Sequence, residues 1–302
     1  MGVKSLTSIS DISKVEIEKI LQISSQIDKG RNQKLRGDPL LALLFEKPST
    51  RTRTSFQAAM HRLGGASIYL DSTTTQISRG ELISDTAKVL SLYTDIITAR
   101  LFSHNDITDL ARNASVPVIN ALTDLEHPCQ ALSDIYTIKK LKGLDGIKVA
   151  YVGDIASNTA NSLMLVCTKL GVDVTLVGPS TVSPKNEYIT SARKQGNVDV
   201  TSDIRKGLAG ADVIYTDVFV SMGEESEKKK RLREFKDYEV DRKAMSYAKK
   251  DAIFMHCLPA HRGVEVSADV IDGKQSVVWE QARNKMIVEQ AIIYFLLNKD
   301  SR

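Results

Sequence analysis

The chain has 302 residues, of which 42% are hydrophobic and 26% charged, with 17 Gly and 7 Pro. These values exclude a disordered or collagen-like chain and leave room for about two globular domains. The net charge is +4, and the basic residues are scattered along the sequence, so a nucleic-acid partner is not favoured. An anionic small molecule remains a candidate ligand.

The sequence also indicates the cellular compartment of the protein. No apolar run approaches the roughly 18 residues of a membrane span, and residues 1–11 lack the basic and apolar regions of a secretion signal. The three cysteines, Cys129, Cys167 and Cys257, are odd in number and have no metal-ligand spacing. We therefore expect a cytoplasmic protein with no disulfide framework, structural metal site or membrane partner.

The apolar pattern alternates between helix and strand along the whole chain. A helix is predicted at 12–27, before a buried strand at 39–45. Further strands are predicted at 67–70, 96–99, 116–119, 147–152, 172–177, 213–216, 253–256 and 277–279. Further helices are predicted at 50–63, 81–90, 107–113, 127–142, 159–170, 186–194, 229–235 and 281–297. This alternation predicts the α/β class: two open parallel-sheet domains with a ligand-binding cleft between them.

A hydroxyl-rich, doubly basic segment, 49–54, follows the first strand and begins a helix. The free N–H groups of a first helical turn, the positive end of the helix dipole, and the guanidiniums of Arg51 and Arg53 suit a phosphate-sized anion. The alternative is that Ser49 only caps the helix and the arginines lie on the surface. No Gly-Lys-Ser/Thr follows, so a nucleoside triphosphate is not implied.

The segment 126–132 follows another strand and begins the long helix. A neutral His127 imidazole at this point can donate a hydrogen bond to a carbonyl oxygen, and Gln130 on the same face reaches the same ligand. The alternative is a cap or a packed surface histidine.

In the second half, the strand ending at Val152 lacks the glycines of a dinucleotide fingerprint, which argues against a nicotinamide cofactor. Asn158 is placed to donate to a carboxylate, and Asp217, after a later strand, to bind an ammonium group. The alternative for Asp217 is a turn cap. The charged run 224–234, which includes the basic residues 228–231, is interpreted as a solvated helix face rather than a nucleic-acid patch.

Cys257 follows the strand at 253–256, and we predict that it points toward the cleft in a binding role. A cysteine nucleophile is disfavoured because strand alternation is expected to turn His256 to the opposite face. A metal site of His256, Cys257 and His261 is disfavoured because a fourth ligand is not apparent.

Four segments in order, 49–53, 127–130, 217–223 and 256–263, resemble the ornithine branch of the aspartate/ornithine carbamoyltransferase family, and the match spans nearly the whole chain. Three positions depart from the family pattern: Phe219 replaces a usual tryptophan, Val264 a usual acidic residue, and 78–80 a usual Gly-His-Lys. The first two adjoin the ornithine side of the site.

The resemblance implies transfer of the carbamoyl group of carbamoyl phosphate to L-ornithine, with no cofactor or metal. It implies a carbamoyl-phosphate-binding domain at 1–140, an ornithine-binding domain at 141–282, and a C-terminal helix at 283–302 that packs back on the first domain. Gln76 would reach a neighbouring subunit's site, which implies a homotrimer or a multiple of trimers.

The resemblance also implies individual roles. Carbamoyl phosphate would be bound by Ser49, Thr50, Arg51, Thr52, Gln76, Arg100, His127, Pro128, Cys129, Gln130, Cys257, Leu258 and Arg283, with Arg53 supporting the loop. Within this set, catalytic roles fall to Arg100, His127, Cys257 and Arg283, of which Arg100 and His127 would polarise the carbamoyl oxygen. Ornithine would be bound by Asn158, Asp217, Ser221 and Met222.

Three rival functions are weaker. A catalytically silent paralogue is expected to lack part of the arginine and histidine set, and an oxidoreductase needs the missing glycine fingerprint. Putrescine or an acylated ornithine is the nearer competitor as acceptor. Asp217 together with the Ser-Met-Gly sequence at 221–223 argues against putrescine, which has no α-carboxylate.

Overall fold

The computed structural model describes residues 4–31, 33–220 and 227–298. Its strands are β1 (Leu40–Phe45), β2 (Ala66–Asp71), β3 (Ile96–Arg100), β4 (Val118–Leu122), β5 (Lys148–Val152), β6 (Asp173–Val177), β7 (Val198–Thr201), β8 (Val213–Thr216) and β9 (Ile253–His256). Its α-helices are α1 (Lys14–Asp28), α2 (Thr50–Arg62), α3 (Ile83–Tyr93), α4 (His104–Asn113), α5 (Pro128–Lys142), α6 (Asn158–Lys169), α7 (Asn186–Arg193), α8 (Ile204–Leu208), α9 (Lys228–Glu234), α10 (Arg242–Met245), α11 (Ala268–Ile271) and α12 (Val278–Leu297).

The chain divides into two compact units. The first contains Met1–Tyr136 and Arg283–Arg302, and the second contains Thr137–Ala282. The first unit has a four-stranded sheet in the order β2-β1-β3-β4, and the second has a five-stranded sheet in the order β7-β6-β5-β8-β9. All strand pairs are parallel. The predicted class, two parallel-sheet α/β domains, is confirmed.

Strand β1 of the first unit's sheet is buried because it is apolar on both faces, whereas no residue of the edge strand β2 is buried. Residues 41–45 of β1 are all buried. One core cluster joins Ala42 and Leu44 of β1 with Ile97 of β3 and with Ile107 and Leu110 of α4. This continuous apolar run explains why β1 was readable from sequence, since a strand covered on both faces shows no polar alternation.

In the first unit, the strand register brings three chain segments to one edge of the sheet. Phe45 at the end of β1 pairs with Arg100 at the end of β3, and Arg100 pairs with Leu122 at the end of β4. Because the carboxyl ends of parallel strands lie at the same edge, the segments that follow β1, β3 and β4 begin side by side there.

The second unit repeats this arrangement. Val152 at the end of β5 pairs with Thr216 of β8, and Thr216 pairs with His256 of β9. The segments that begin at Gly153, Asp217 and Cys257 therefore leave one edge of this sheet together.

The strands of the structure differ from the predicted ones at two places, and the short helices α8, α10 and α11 were not predicted. The strand predicted at 277–279 is wrong, because Val278 and Trp279 already belong to α12 and the extended pairing beside β9 is a single bridge between Phe254 and Ser276. The strand β7 was missed, because polar Asp199 interrupts its apolar pattern. An edge strand tolerates such a residue, since one of its sides has no neighbouring strand.

In the part of the chain that the structure describes, no helix combines the length and apolar character that crossing a membrane requires.

Candidate active site

The segment after β1 begins α2 and is capped by its own hydroxyls. The Ser49 hydroxyl accepts a hydrogen bond from the Thr52 backbone N–H at 3.3 Å and donates to Thr52 Oγ1 at 3.1 Å. Thr52 is buried, whereas Thr50, Arg51 and Arg53 are exposed. The Arg53 guanidinium stacks on the Tyr69 ring, 3.7 Å from its centroid. Ser49 therefore caps the helix, and the positive end of the helix dipole faces the edge where β1 ends.

Arg100 and His127 lie buried at the same edge, at the end of β3 and after β4. The pKa of His127 is held well below its usual range, because burial disfavours the imidazolium and the charges of Lys285 and Arg100 disfavour it further. His127 is therefore neutral near pH 7. A neutral imidazole donates one hydrogen bond without bringing a further charge.

The next residues of the His127 segment are also buried. Gln130 donates from Nε2 to Asp134 Oδ1 at 2.8 Å, which fixes its amide one helical turn along α5. The Cys129 thiol donates to the Asn120 carbonyl oxygen at 3.3 Å, and burial raises its pKa well above the usual range. Cys129 therefore stays a thiol, and Pro128 is the first residue of α5.

The cation of α12 that lies beside this cluster is Lys285, a residue that the sequence did not single out. Lys285 is only 8% exposed, and its Nζ lies 3.4 Å from Thr52 Oγ1. Arg283, the predicted carbamoyl ligand, bonds instead to Asp28 at 2.7 Å, and its side chain is 51% exposed. The assignment of Arg283 stays a prediction, and Lys285 is a second cation of α12 that lies beside the start of α2.

Gln76 lies in a short 3₁₀ turn, Gln76–Arg79, and its side chain is exposed. Its predicted role in a neighbouring subunit's site stays a prediction.

In the second unit, Asp217 follows β8 and meets the first turn of α6. The Thr159 hydroxyl donates to Asp217 Oδ2 at 3.0 Å, and the Val218 backbone N–H donates to Asp217 Oδ1 at 2.8 Å. Thr159 also lies 3.3 Å from Asn158 Oδ1, so the predicted residues Asn158 and Asp217 are joined through Thr159. Two donors leave the carboxylate with further acceptor positions, so the turn-cap contact and an ammonium contact are compatible.

Tyr151 lies near the Asp217 carboxylate and was not identified from the sequence as a site residue. Its phenol is buried and forms a hydrogen bond with the Ser157 hydroxyl at 2.9 Å. Burial raises the pKa of Tyr151 well above its usual range, and the Asp217 charge raises it further. The signal that could have located Thr159 is its place next to Asn158 at the start of a helix after a strand.

Cys257 and His256 lie on the same side of the site, contrary to the expected alternation. One ligand-type atom from each of Asp217, His256 and Cys257 lies within 4.8 Å of the others. The strand ends at His256, so Cys257 is outside its alternation. The expectation that His256 turns away is wrong for this reason, and Cys257 lies beside Asp217 as a binding role requires.

The contacts of His256 show why it is poorly suited to a metal or to activating a thiol. Its Nδ1 accepts the Leu258 backbone N–H at 2.8 Å, which leaves the proton on Nε2, 3.4 Å from Glu265. Leu258 has a left-handed backbone, with φ +60°, a conformation that costs energy for a branched residue. His261, the third member of the disfavoured metal trio, is largely exposed.

The basic residues 228–231 lie in α9 and form only in part a solvated face. Residues 228–230 are exposed as predicted, but the Arg231 side chain is only 13% exposed. It forms an ion pair with Asp154 and donates from Nε to the Phe219 carbonyl oxygen at 2.7 Å. The solvated interpretation is therefore wrong for Arg231. The Phe219 ring packs on Gly153, where a Cβ atom would lie 2.8 Å from Phe219 Cε1, so only glycine fits at this close approach.

The predicted ornithine ligands Ser221 and Met222 lie outside the described residues.

Comparisons with known proteins place this geometry in a family. Residues 4–140 match the family model "Aspartate/ornithine carbamoyltransferase, carbamoyl-P binding domain", and residues 145–296 match "Aspartate/ornithine carbamoyltransferase, Asp/Orn binding domain". The chain therefore belongs to the aspartate/ornithine carbamoyltransferase family.

Individual relatives match over nearly their whole length. The ornithine carbamoyltransferase of Picrophilus torridus is 47% identical over 301 residues, which cover 98% of this chain and 99% of the relative. A relative from Halobacterium salinarum named catabolic ornithine carbamoyltransferase is 46% identical, with 97% and 99% covered. The crystal structure of anabolic ornithine carbamoyltransferase from Campylobacter jejuni superposes with a TM-score of 0.93 at 39% identity, with 97% and 99% covered.

Proposed function

We propose that the protein transfers the carbamoyl group of carbamoyl phosphate to the δ-amine of L-ornithine, giving L-citrulline and phosphate. The observation that carries this proposal is the full-length match, at 47% identity, to a relative named ornithine carbamoyltransferase. The first unit would bind carbamoyl phosphate and the second would bind ornithine. The described contacts supply chemistry that suits both ligands.

In the first unit, the phosphate group would bind at the start of α2. Ser49, Thr50, Arg51 and Thr52 offer backbone N–H groups, hydroxyls and one guanidinium there, and the helix dipole favours an anion. Lys285 adds a buried cation beside Thr52. Ser49 capping the helix is compatible with this role, because a cap satisfies only one of the first-turn N–H groups.

The reaction is acyl transfer. The uncharged δ-amine attacks the carbamoyl carbon, the carbonyl oxygen becomes an oxyanion, the bond from carbon to the phosphate oxygen breaks, and a phosphate oxygen takes the amine proton. Thr52, Arg100 and the neutral His127 are the donors proposed for the oxyanion. Loss of one prepositioned donor in such a site costs about 3 to 4 kcal/mol of barrier.

In the second unit, Asp217 would bind the α-ammonium group of ornithine, and Asn158 would donate to its α-carboxylate. The connection of these two residues through Thr159 supports a single amino-acid subsite. Cys257 lies beside Asp217, which suits its proposed contact with the substrates, and Leu258, Ser221 and Met222 complete the proposed set.

Three finer points belong to the same proposal. We expect a homotrimer or a multiple of trimers, in which Gln76 reaches the site of a neighbouring subunit. We expect a cytoplasmic enzyme. We assign it to arginine biosynthesis; relatives carrying catabolic and anabolic names both match the chain.

One assay tests the function. Citrulline formation from carbamoyl phosphate and ornithine is measured beside parallel reactions with putrescine, aspartate and N-acetylornithine. We expect turnover with ornithine and at most a trace with the other three acceptors. Faster turnover with any of the other acceptors would reject ornithine as the substrate.

A further inference from the structure

Glu289 lies in the interior of the first unit, one helical turn after Lys285 on α12. Residues four apart lie on the same face of a helix, so both side chains point toward α2 and α5. Glu289 is completely buried, and neither of its carboxyl oxygens has a hydrogen-bond partner among the described residues. Buried carboxyl groups are normally hydrogen-bonded, so this one requires an explanation.

Three polar groups near Glu289 are engaged elsewhere. They come from three elements: Lys285 on α12, Ser55 on α2 and Cys129 on α5. The Ser55 hydroxyl donates to the Thr52 carbonyl oxygen at 3.2 Å, and the Cys129 thiol donates to the Asn120 carbonyl oxygen at 3.3 Å.

Lys285 directs its Nζ to Thr52 Oγ1 and forms no ion pair within 4.0 Å with Glu289. Burial raises the pKa of Glu289 to about 8, although the charge of Lys285 lowers it. The carboxyl group is therefore mostly protonated at neutral pH.

The neighbours of Glu289 are the residues of the proposed carbamoyl phosphate site. Lys285 contacts Thr52 in the phosphate-binding turn, and Cys129 belongs to the His127 segment. An ionised Glu289 would place a negative charge behind this site, in a buried region where charges are weakly screened. It would oppose a dianionic ligand and attract the Lys285 ammonium group away from Thr52.

We propose that Glu289 is a positioning residue that, when protonated, leaves the Lys285 ammonium group directed at the phosphate site, so that binding of carbamoyl phosphate is coupled to uptake of a proton by this carboxyl group. The inference rests on the proposed function. Linkage requires the reciprocal effect: the bound dianion stabilises the protonated form of Glu289, and raising the pH weakens binding.

The first test measures the affinity of phosphonoacetamide, a non-reactive analogue of carbamoyl phosphate, by calorimetry at about pH 6.5 and about pH 9.5. The wild type is compared with Glu289→Gln, and the titration of the ligand itself is common to both and cancels in their ratio. If the dianion raises the pKa of Glu289 by one unit, wild-type affinity falls about tenfold relative to Glu289→Gln across this range.

Glu280→Gln is the matched control, because Glu280 lies on the same helix in a partly exposed ion pair with Lys140. This variant should follow the wild type at both pH values. Equal pH dependence of the wild type and Glu289→Gln would overturn the inference and leave the proposed function standing. If the wild type bound no analogue at any pH, the proposed function would fail and the inference with it.

A second measurement uses the wild type alone, in case Glu289→Gln does not fold. At about pH 8.5 a phosphate-type group, with a second pKa near 6, is already a dianion, so it exchanges few protons on binding. Titration in two buffers of different ionisation enthalpy then reports protons taken up by the protein. Uptake of a substantial fraction of one proton per analogue bound supports the proposal, and zero uptake or release contradicts it.

Discussion

Replacing Lys285 with methionine tests which cation of α12, Lys285 or Arg283, contributes to binding of carbamoyl phosphate. The substitution removes the ammonium group and keeps most of the length of the side chain. It should not leave a buried uncompensated charge near pH 7, because the pKa of Glu289 is about 8 with Lys285 present and rises further without it. We therefore expect Lys285→Met to fold, which the midpoint of urea unfolding checks.

The magnitude follows from the position of Lys285 Nζ. It is buried and lies 3.4 Å from Thr52 Oγ1, where the proposed phosphate group would bind. A hydrogen bond to a charged group contributes about 1.5 to 3 kcal/mol, so the KM for carbamoyl phosphate should rise roughly 10- to 150-fold. The KM for ornithine at saturating carbamoyl phosphate should change much less.

Arg283→Met is the matched comparison, two residues earlier on the same helix. Its side chain is half exposed and its guanidinium pairs with Asp28, so its loss removes no buried cation beside Thr52. We expect its KM for carbamoyl phosphate to change less than about fivefold. A large increase in Arg283→Met with near-normal kinetics in Lys285→Met would refute this reasoning and restore the sequence prediction for Arg283.

Three further predictions concern separate residues. Arg51→Ala should remain folded and raise the KM for carbamoyl phosphate about tenfold or more, because a guanidinium contact to phosphate is lost; normal steady-state kinetics would argue against this anion site. Asp217→Asn should weaken ornithine binding by about 1.5 to 3 kcal/mol and leave phosphonoacetamide binding unchanged in calorimetry, whereas an equal loss for both ligands would identify Asp217 as a structural cap. Glu289→Gln should raise the free energy of unfolding by up to about 5 kcal/mol above pH 8 and by little below about pH 4.5, measured by urea denaturation.

The sign of the Glu289 prediction follows from linkage. The folded pKa, about 8, lies above the ordinary value of 4.5, so the folded state holds a proton that the unfolded state has released. The contribution of Glu289 to wild-type stability therefore falls as the pH rises from about 4.5 to about 8 and is constant above that range. Glutamine does not titrate, so its advantage grows over the same interval. No growth of that advantage with pH would mean that Glu289 ionises normally.

Much of the fold was readable from the sequence because it depends on local patterns. The apolar run at 41–45 marks a strand covered on both faces, and the order of apolar segments fixes the parallel α/β class. The same order predicted that Arg51, His127 and Asp217 follow strands, where parallel sheets bind ligands. The apolar pattern at 277–279 indicated a strand, but the chain has already entered α12 there. A short apolar segment cannot be assigned to a strand or a helix by its pattern alone.

What the tertiary structure alone decided is which neighbouring side chain reaches the site. Arg283 and Lys285 are two residues apart, so they lie about 200° apart around α12, and nothing local indicates which side faces Thr52. The approach of Cys257 to Asp217, and the burial of Glu289 without a partner, join residues from strands and helices far apart in the chain. Such contacts are set by the packing of one element on another, which the local pattern of a sequence does not contain.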